Sequence, residues 1–204
     1  MSIKQSPLYN QSYGFAVGAQ HGYGGYRNNL RIKKFTQLID PSTTDQILEI
    51  GCNRGLLLSA LQKYAPATIG IDVNQEVVQQ LASKAISYMS ATDLRFKENT
   101  FNKVCAFEVI EHISDIKKVF TEVYKILKKG GVFIISFPVE LIRGQSAILD
   151  AWNVYKNPLM ARQLHVHKLT PSIIQNISQP IGFVVIESRV MFIPFPSFVM
   201  KLKK

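Results

Sequence analysis

The chain has 204 residues, of which 47% are hydrophobic and 19% are charged. This composition is typical of one globular domain and excludes a disordered or low-complexity protein. The formal net charge of +10 favours attraction to polyanions, although lysines on a helix surface explain such a charge equally well. Two cysteines exclude a disulfide framework, and we expect a cytoplasmic protein because neither a secretory signal nor an apolar run long enough for a membrane span is present.

Short apolar runs alternate with amphipathic stretches along the chain. The predicted strands cover residues 46–50, 67–72, 86–90, 103–107, 132–137 and 183–193, the last containing one or two strands. The predicted helices cover residues 55–64, a segment capped by Asn74, a segment that begins at Ser114 and ends at Gly130-Gly131, and a segment that begins at Thr170-Pro171. This alternation predicts one α/β domain over residues 1–204, with a parallel sheet covered by helices on both faces.

Two segments interrupt the alternation. Residues 1–30 are rich in tyrosine and glycine, and residues 138–169 follow the fifth strand. We expect both at the carboxyl ends of the strands, where ligands bind in this architecture, and interpret them as an N-terminal lid and a substrate cap. A plain loop is the alternative for each. The apolar side chains of residues 138–169 predict either a pocket for an aromatic or lipid-like acceptor or a helix packed on the core.

The C-terminal residues 190–204 mix aromatic side chains with lysines. A segment of this composition can lie at a membrane surface, so peripheral membrane contact is one interpretation. An edge strand with a lysine-rich end is the other interpretation, since charged residues protect exposed strand edges from aggregation.

A glycine-rich turn follows the first strand, over residues 49–55. Such a turn lets a ligand approach the backbone closely, and Asp72, 23 residues after Glu49, stands where a carboxylate can accept hydrogen bonds from both hydroxyls of a ribose. A dinucleotide and adenosylmethionine are the two candidate ligands. Glu49 suits a cationic ligand and would repel a pyrophosphate, and Asn53 and Arg54 break the glycine pattern of dinucleotide sites. These residues favour adenosylmethionine.

Five motifs resemble those of the class I S-adenosylmethionine-dependent methyltransferases in order and spacing. They are ILEIGCNRG, GIDVN, ATDL, FEVIEHI and ILKKGGVFIISFP. The resemblance covers about residues 28–137 well and extends loosely to residue 190. It implies a Rossmann-like, seven-stranded, mostly parallel sheet and S-adenosylmethionine as the cofactor. The chain lacks the Asn/Asp-Pro-Pro-Tyr/Phe segment of the families that methylate nucleobase amino groups, which argues against N-methylation of adenine or cytosine in DNA.

The resemblance also implies roles for individual residues in cofactor binding. The matching positions are Glu49, Gly51, Asn53 and Gly55 beneath the methionine moiety, Asp72 at the ribose, Val73 beside the adenine, and Asp93 with Leu94 at the adenine. The family usually has glycine where Asn53 stands, and asparagine tolerates a positive φ better than other non-glycine residues. The segment 26–31 resembles the entry helix of ubiquinone-pathway O-methyltransferases, in which Arg31 matches an arginine that binds the cofactor carboxylate; a helix-surface arginine is the alternative.

A group of acidic and histidine residues follows the fourth strand. Glu108, Glu111 and His112 resemble the metal site of small-RNA terminal 2′-O-methyltransferases and of ubiquinone-pathway O-methyltransferases, which add a ligand from the region after strand five. There we favour His167 over His165, because His167 stands next to the predicted helix start. A divalent metal such as Mg²⁺ would lower the pKa of an acceptor hydroxyl. Catalysis by His112 or His167 as a metal-free general base is one alternative, and a structural role for the pair Glu111 and His112 is the other.

These observations predict an S-adenosylmethionine-dependent methyltransferase that acts on a small organic molecule, with a hydroxyl oxygen as the favoured acceptor. An RNA ribose 2′-O-methyltransferase is one alternative, since it would use the basic charge, although the chain has no separate RNA-binding domain and we expect no stable nucleic-acid partner. A non-catalytic cofactor-binding subunit is the other alternative, and Asn53 is the feature that supports it.

Overall fold

The computed structural model describes residues 26–81, 83–192 and 196–204. Most of the predicted N-terminal lid, residues 1–25, lies outside the described residues. The strands are β1 (Ile47–Ile50), β2 (Ile69–Asp72), β3 (Ile86–Tyr88), β4 (Phe101–Phe107), β5 (Leu127–Pro138), β6 (Val184–Phe192) and β7 (Pro196–Lys203). The α-helices are α1 (Tyr26–Ile39), α2 (Leu56–Gln62), α3 (Gln75–Leu81), α4 (Ile116–Ile126), α5 (Ile148–Tyr155), α6 (Ala161–Leu164) and α7 (Pro171–Ser178).

The described strands form one sheet of seven in the order β3-β2-β1-β4-β5-β7-β6. Strands β1 to β5 pair in parallel, and β7 pairs antiparallel with both β5 and β6. This confirms the predicted Rossmann-like, mostly parallel sheet. The strand order reverses between β1 and β4, and in this architecture ligands bind beyond the carboxyl ends of the strands at such a reversal.

Helices cover both faces of the sheet, as the alternation predicts. Successive side chains of a strand point to opposite faces, so Val104 and Ala106 of β4 join the core beneath α4 and α7, whereas Cys105 joins the core beneath α1 and α2. Phe35 of α1 stacks on Phe107 with ring centroids 3.9 Å apart. The helix α1 is thereby fixed beside the carboxyl end of β4.

The boundaries of the fourth helix differ from those predicted. Asp115 caps α4 by accepting a hydrogen bond from the Lys118 backbone at 2.9 Å, so Ser114 is not the cap. The helix ends at Ile126, and the pair 130–131 lies inside β5 instead of ending the helix. Tertiary pairing of Leu127 with Phe101 of β4 starts the strand early and overrides the glycine signal.

The C-terminal segment is an interior strand, which corrects the prediction of an edge strand. Strand β7 lies between β5 and β6, and its side chains Val199, Met200 and Leu202 are buried. Residues 196–203 are therefore part of the sheet. None of the helices in the described parts of the chain is long and apolar enough to cross a membrane.

The insert after β5 folds into short helices with a small core of its own. Ala147, Ala151, Ala161 and Leu164 are buried together. The Glu140 carboxylate holds the first turn of the insert by accepting hydrogen bonds from the Gly144 and Ser146 backbones, each at 3.0 Å. Larger apolar side chains on the outside remain exposed: Leu141, Ile142, Leu149, Trp152 and Leu159. The insert, residues 138–169, which we call the cap, is thus built of short helices and is not a plain loop.

Candidate active site

A cleft opens at the carboxyl ends of β1, β2 and β4. It encloses about 580 Å³ of empty space, part of it open to solvent. The lining residues come from the ends of the three strands, from the segment after β3 and from the turn after β4: Ile50, Gly51, Ile71, Asp72, Val73, Met89, Ser90, Ala91, Thr92, Val109, His112 and Ile113. Gly51, Asp72, Val73 and His112 therefore line one cleft, although they come from three separate segments of the chain.

The loop between β1 and α2 takes the shape that the sequence suggests for a cofactor loop. Gly51, Asn53 and Gly55 have φ values of 72°, 43° and 68°. A Cβ atom on Gly51 would lie 2.5 Å from Cγ2 of Val109, so only glycine allows this approach between the loop and the turn after β4. Asn53 adopts the positive φ directly, and the departure from glycine at this position does not change the loop geometry.

Asp72 connects this loop to the end of β2. Its Oδ2 accepts a hydrogen bond from the Asn53 backbone at 2.8 Å, and its Oδ1 accepts one from the Asn74 backbone at 2.9 Å. Burial raises the pKa of Asp72, and the two backbone hydrogen bonds oppose that rise. Each carboxylate oxygen has a second lone pair, so Asp72 can still accept hydrogen bonds from a diol in the cleft.

Glu49 is a buried carboxylate behind the loop. Burial and the neighbouring charge of Asp72 raise its pKa to about 8, against a smaller opposing effect of Arg31. Its Oε2 has no hydrogen-bond partner among the described residues. A buried carboxylate oxygen without a partner fits a cationic group, such as an ammonium or a sulfonium, bound in front of it.

Arg31 of α1 lies on the same side of the sheet as Glu49. Its guanidinium lies 5.3 Å from the ring centroid of Phe35, and its charge is close enough to lower the pKa values of both Glu49 and Glu111. Helix α1 therefore brings the positive charge of Arg31 near the carboxyl groups of both Glu49 and Glu111. This placement agrees with a role in binding a carboxylate.

Two predicted adenine contacts lie outside the cleft lining. The Asp93 side chain is 73% exposed and pairs with Arg95 at 3.6 Å, while Leu94 is buried in the core. The wall of the cleft is formed instead by residues 89–92. The chain turns immediately after Thr92, so Asp93 points to solvent although it follows the third strand at the expected spacing.

On the other side of the cleft, three potential ligands or proton acceptors converge. Glu111, His112 and His165 each offer one atom, and these atoms all lie within 4.8 Å of one another. Burial and the charge of Glu108 raise the pKa of Glu111 well above its usual range, and its Oε2 lacks a hydrogen-bond partner in the part of the chain that the structure describes. We call Glu111, His112 and His165 the acceptor cluster.

The tautomer of His112 follows from its surroundings. Nδ1 donates to the Leu164 carbonyl at 2.8 Å, which makes Nε2 the accepting nitrogen, 4.0 Å from Oε1 of Glu111. Burial and the adjacent His165 lower the pKa of His112 to about 3. His112 is therefore neutral at physiological pH and presents an acceptor atom toward the cleft.

His165 is oriented by the cap. Its Nδ1 lies 2.9 Å from Oε1 of Glu140, which also accepts a hydrogen bond from the Ser146 hydroxyl at 2.6 Å. Burial alone would raise the pKa of Glu140, but the hydrogen bonds from His165 and Ser146 lower it to about 2. A carboxylate that stays ionised holds the His165 ring against His112, with ring centroids 4.8 Å apart.

The prediction that His167 faces the site is therefore wrong, and His165 takes that position. Nε2 of His167 lies 3.1 Å from the Ile113 carbonyl and 3.2 Å from the Ser114 carbonyl, which ties the ring to the backbone before α4. Alternation does place only one of the two histidines in the site. The side that faces inward is set by the docking of the segment on Glu111, whose carbonyl accepts a hydrogen bond from the Val166 backbone at 3.0 Å.

Glu108 stands next to the acceptor cluster without joining it. Its φ of 56° turns the chain sharply after β4, and its Oε1 accepts a hydrogen bond from the Ser136 hydroxyl at 2.8 Å. Glu108 thus contributes a negative charge beside Glu111 and is not one of the three converging groups. Sequence reasoning missed Glu140 altogether, since it lies 25 residues before its partner His165 and belongs to no motif.

Residues 48–135 match a protein-family model described as a methyltransferase domain. A mitochondrial ubiquinone biosynthesis O-methyltransferase of Dictyostelium discoideum is 27% identical over 130 residues, covering 54% of this chain and 40% of that protein. A ubiquinone biosynthesis O-methyltransferase of Pelagibacter ubique is 32% identical over 103 residues, covering 47% and 43%. The matches span less than half the length of these two relatives.

Solved structures show the same fold. An S-adenosylmethionine-dependent methyltransferase of Mesorhizobium loti has a TM-score of 0.67 at 13% identity, covering 90% of this chain and all (100%) of that chain. One of Archaeoglobus fulgidus has a TM-score of 0.65 at 16% identity, covering 89% and 96%. The shared architecture extends well beyond the region matched by the family model.

Proposed function

We propose that this chain, which belongs to the class I S-adenosylmethionine-dependent methyltransferases, transfers a methyl group to a hydroxyl oxygen of a small organic acceptor. The observation that carries the proposal is the position of the acceptor cluster. His112 lines the same cleft as Asp72, and the cluster extends from His112 to Glu111 and His165 beneath the cap. Groups that bind the cofactor and groups that accept a proton therefore open on one space.

The cofactor half of the cleft fits S-adenosylmethionine in shape and charge. The unpartnered oxygen of Glu49 suits the ammonium of the methionine moiety, and Asp72 suits the ribose diol. Gly51 lines the cleft at the start of the loop, and Arg31 suits the cofactor carboxylate. The bound cofactor supplies an electrophilic methyl group on a sulfonium.

The acceptor half is suited to managing the proton of a hydroxyl group. A hydroxyl in the cleft donates a hydrogen bond to Nε2 of His112, which aligns an oxygen lone pair with the methyl group. Glu111 lies 4.0 Å from that nitrogen, and its raised pKa favours the protonated form of its carboxyl group, so His112 is the proton acceptor. The proton released on transfer passes from the hydroxyl to Nε2 of His112 and from there to solvent in the open part of the cleft, while Glu140 keeps His165 in place.

The cap supports an aromatic or lipid-like acceptor. It docks on the turn after β4, where the Leu164 carbonyl accepts a hydrogen bond from His112 and the Val166 backbone amide donates one to the Glu111 carbonyl. Its inner side therefore borders the acceptor cluster. Ile142 and Trp152 are more than half exposed on this element. Exposed apolar side chains on the element that docks next to the acceptor cluster suit a molecule with one hydroxyl and a large hydrophobic body.

A divalent cation is the second candidate for the acceptor cluster. One carboxylate and two imidazoles within 4.8 Å form a donor set that binds divalent metals, and the unpartnered Glu111 oxygen would gain a partner. Glu111, His112 and His165 would hold the ion, which would lower the pKa of the acceptor hydroxyl. Glu140 would then orient the ligand His165, as carboxylates commonly do for metal-bound histidines.

The experiment that tests the proposed function offers the purified protein methyl-labelled S-adenosylmethionine and matched pairs of acceptors. Each pair has the same hydrophobic body and carries either a phenolic hydroxyl or an amine. We expect label on the phenols, with transfer lost in His112→Ala but cofactor binding retained. Methylation of the amines alone would contradict oxygen as the acceptor. Suppression of turnover by bulk RNA would favour the ribose 2′-O alternative.

A further inference from the structure

The outside of the cap is rich in exposed apolar side chains. Six large ones lie within residues 141–159: Leu141, Ile142, Ile148, Leu149, Trp152 and Leu159. Single exposed apolar residues are normal on a protein surface, but a concentration of them in one element marks a site of interaction. The cap therefore has a surface that is suited to contact with an apolar partner.

Helix α5 has its large apolar side chains on the outside and a small one on the inside. Ala151 is buried in the core of the cap. Ile148, Leu149 and Trp152 are 40%, 65% and 53% exposed, and their spacing places them on one face of the helix. A surface helix normally buries its large apolar residues against the core. The opposite arrangement in α5 indicates that this face meets an apolar surface outside the chain's own core.

The exposed charges of the cap are mostly positive. Four basic side chains are exposed: Arg143, Lys156, Arg162 and Lys168. The cap has two carboxyl groups, and one of them, Glu140, is buried and bonded to His165 and Ser146. The other, Asp150, is partly exposed. The outside of the cap therefore carries a net positive charge, which favours a partner with a negative surface.

Lysines border the apolar side chains. Nζ of Lys168 donates a hydrogen bond to the Leu141 carbonyl. Lys156 directly follows α5, and its backbone donates a hydrogen bond to the Trp152 carbonyl at 2.9 Å. Exposed aliphatic side chains and a tryptophan bordered by lysines are typical of segments that lie in a membrane interface. Lysine is depleted in protein–protein interfaces, so a membrane suits this surface better than a partner protein does.

We propose that the cap binds the surface of a membrane that contains anionic lipids. Leu149 and Trp152 insert at the boundary between headgroups and acyl chains, and Lys156 lies among the headgroups. The contact is peripheral, because the eight residues of α5 are too few to span a bilayer. This membrane contact does not depend on the proposed function. If the acceptor is lipid-like, as that function proposes, the contact brings the acceptor cluster close to the bilayer that holds the acceptor.

The chain has a single tryptophan, Trp152, so tryptophan fluorescence of the full chain reports directly on the proposed contact. The probes are mixed vesicles of phosphatidylglycerol and phosphatidylcholine, and vesicles of phosphatidylcholine alone. With the mixed vesicles, we expect the emission to shift to shorter wavelength and to be quenched by lipids that carry brominated acyl chains. Binding should weaken as salt is added, because salt screens the lysines from the headgroups.

Three outcomes of this experiment would overturn the proposal. Absence of binding to the mixed vesicles would exclude the membrane contact. Binding without a change in the Trp152 emission would place the contact on another surface, and equal binding to both kinds of vesicle would exclude the preference for anionic lipids. Self-association that shields Trp152 without lipid would also overturn the proposal, because the partner of the cap would then be a second copy of the chain.

Leu149→Glu should weaken binding to the mixed vesicles by at least about tenfold, because it removes an inserted apolar side chain. Val184→Glu is the matched control, since it makes the same charge change at an exposed apolar residue. Val184 pairs with Lys203, at the opposite end of β7 from Pro196, whose carbonyl bonds to the start of the cap. We expect the control to bind the vesicles as the unmodified chain does. Equal losses in the two variants would show that net charge alone drives binding and would overturn the role of the cap.

Discussion

The carboxylate of Asp72 accepts a hydrogen bond from the backbone of Asn53 at 2.8 Å. The end of β2 therefore fixes the loop that follows β1, and the residue expected to bind the cofactor ribose also shapes the loop beneath the methionine moiety. Removing this carboxylate should affect cofactor binding in two ways, through the lost ligand and through the loosened loop.

We therefore expect Asp72→Ala to weaken S-adenosylmethionine binding by at least about tenfold, because each lost hydrogen bond to a charged group costs roughly 1.5–3 kcal/mol. Isothermal titration calorimetry measures the change. Asp93→Ala is the matched control, since its side chain is exposed and lies outside the cleft lining. Unchanged affinity in Asp72→Ala, or a comparable loss in Asp93→Ala, would contradict this assignment.

Glu49 should make cofactor binding depend on pH. Its pKa of about 8 means that it is mostly protonated at pH 7 in the ligand-free protein, and a bound ammonium favours the ionised form. Binding at pH 7 should then release close to one proton, and affinity should rise with pH until about pH 8. Calorimetry in two buffers of different ionisation enthalpy measures the release.

Glu49→Gln should abolish the proton release linked to this residue and flatten the pH dependence of affinity below pH 8. If this variant released as many protons as the unmodified chain, the source of the proton would be another group.

The two histidines of the cap should differ in their effect on turnover. The His165 ring packs against His112, so His165→Ala should misplace the proton acceptor and slow methyl transfer, by up to the roughly 10²–10⁴-fold contribution of a positioned acid–base group. His167→Ala removes a ring that bonds to backbone carbonyls and should change turnover only a few fold. Single-turnover rates at saturating cofactor separate the two, and equal losses would contradict the assignment.

Divalent cations should stabilise the protein if the acceptor cluster binds them. At a Mn²⁺ or Mg²⁺ concentration of about 100 times the dissociation constant, the free energy of unfolding should increase by about 2.7 kcal/mol. Thermal unfolding measures this, with Glu111→Gln as the variant that should lose the shift. Equal shifts in both proteins would locate the ion elsewhere, and no shift would leave His112 as a metal-free proton acceptor.

Gly51 should tolerate a side chain less well than Gly130, although both have a positive φ of 72° and 79°. A Cβ on Gly51 meets Val109 at 2.5 Å, whereas on Gly130 the nearest atom is the end of the Lys203 side chain at 3.9 Å. Gly51→Ala should lower the free energy of unfolding by roughly 1–3 kcal/mol more than Gly130→Ala. Denaturant unfolding measures the difference, and equal losses would mean that the loop moves away from Val109 at little cost.

Local sequence patterns predicted the parallel part of the sheet and the cofactor loop, because each depends on a short segment. The apolar residues before Gly51 form β1, which ends at the glycine-rich turn. Asp72 ends β2, as its spacing from Glu49 predicts. The position of β7 was not predictable in this way. It is set by antiparallel pairing with β5 and β6, which no local pattern around Val199 encodes.

The acceptor side was predicted only in part, for the same physical reason. The motif after β4 identified Glu111 and His112, which are adjacent in sequence. The third group comes from the cap. Backbone hydrogen bonds from the cap to Glu111 orient the segment so that His165, and not His167, faces the cluster. No sequence pattern identifies Glu140, because only the folded cap brings it next to His165.

The cap docks on the turn after β4. The donor half and the acceptor half of the cleft are therefore formed by separate parts of the sequence. Residues 50–92 supply the wall of the cleft that we propose binds the methyl donor, while Glu111, His112 and His165 form the acceptor cluster. Exchanging residues 138–169 for the corresponding segment of another enzyme with this architecture would leave residues 50–92 in place. Under the proposed function, we expect the exchange of this one segment to change the surroundings of the acceptor without changing the donor site.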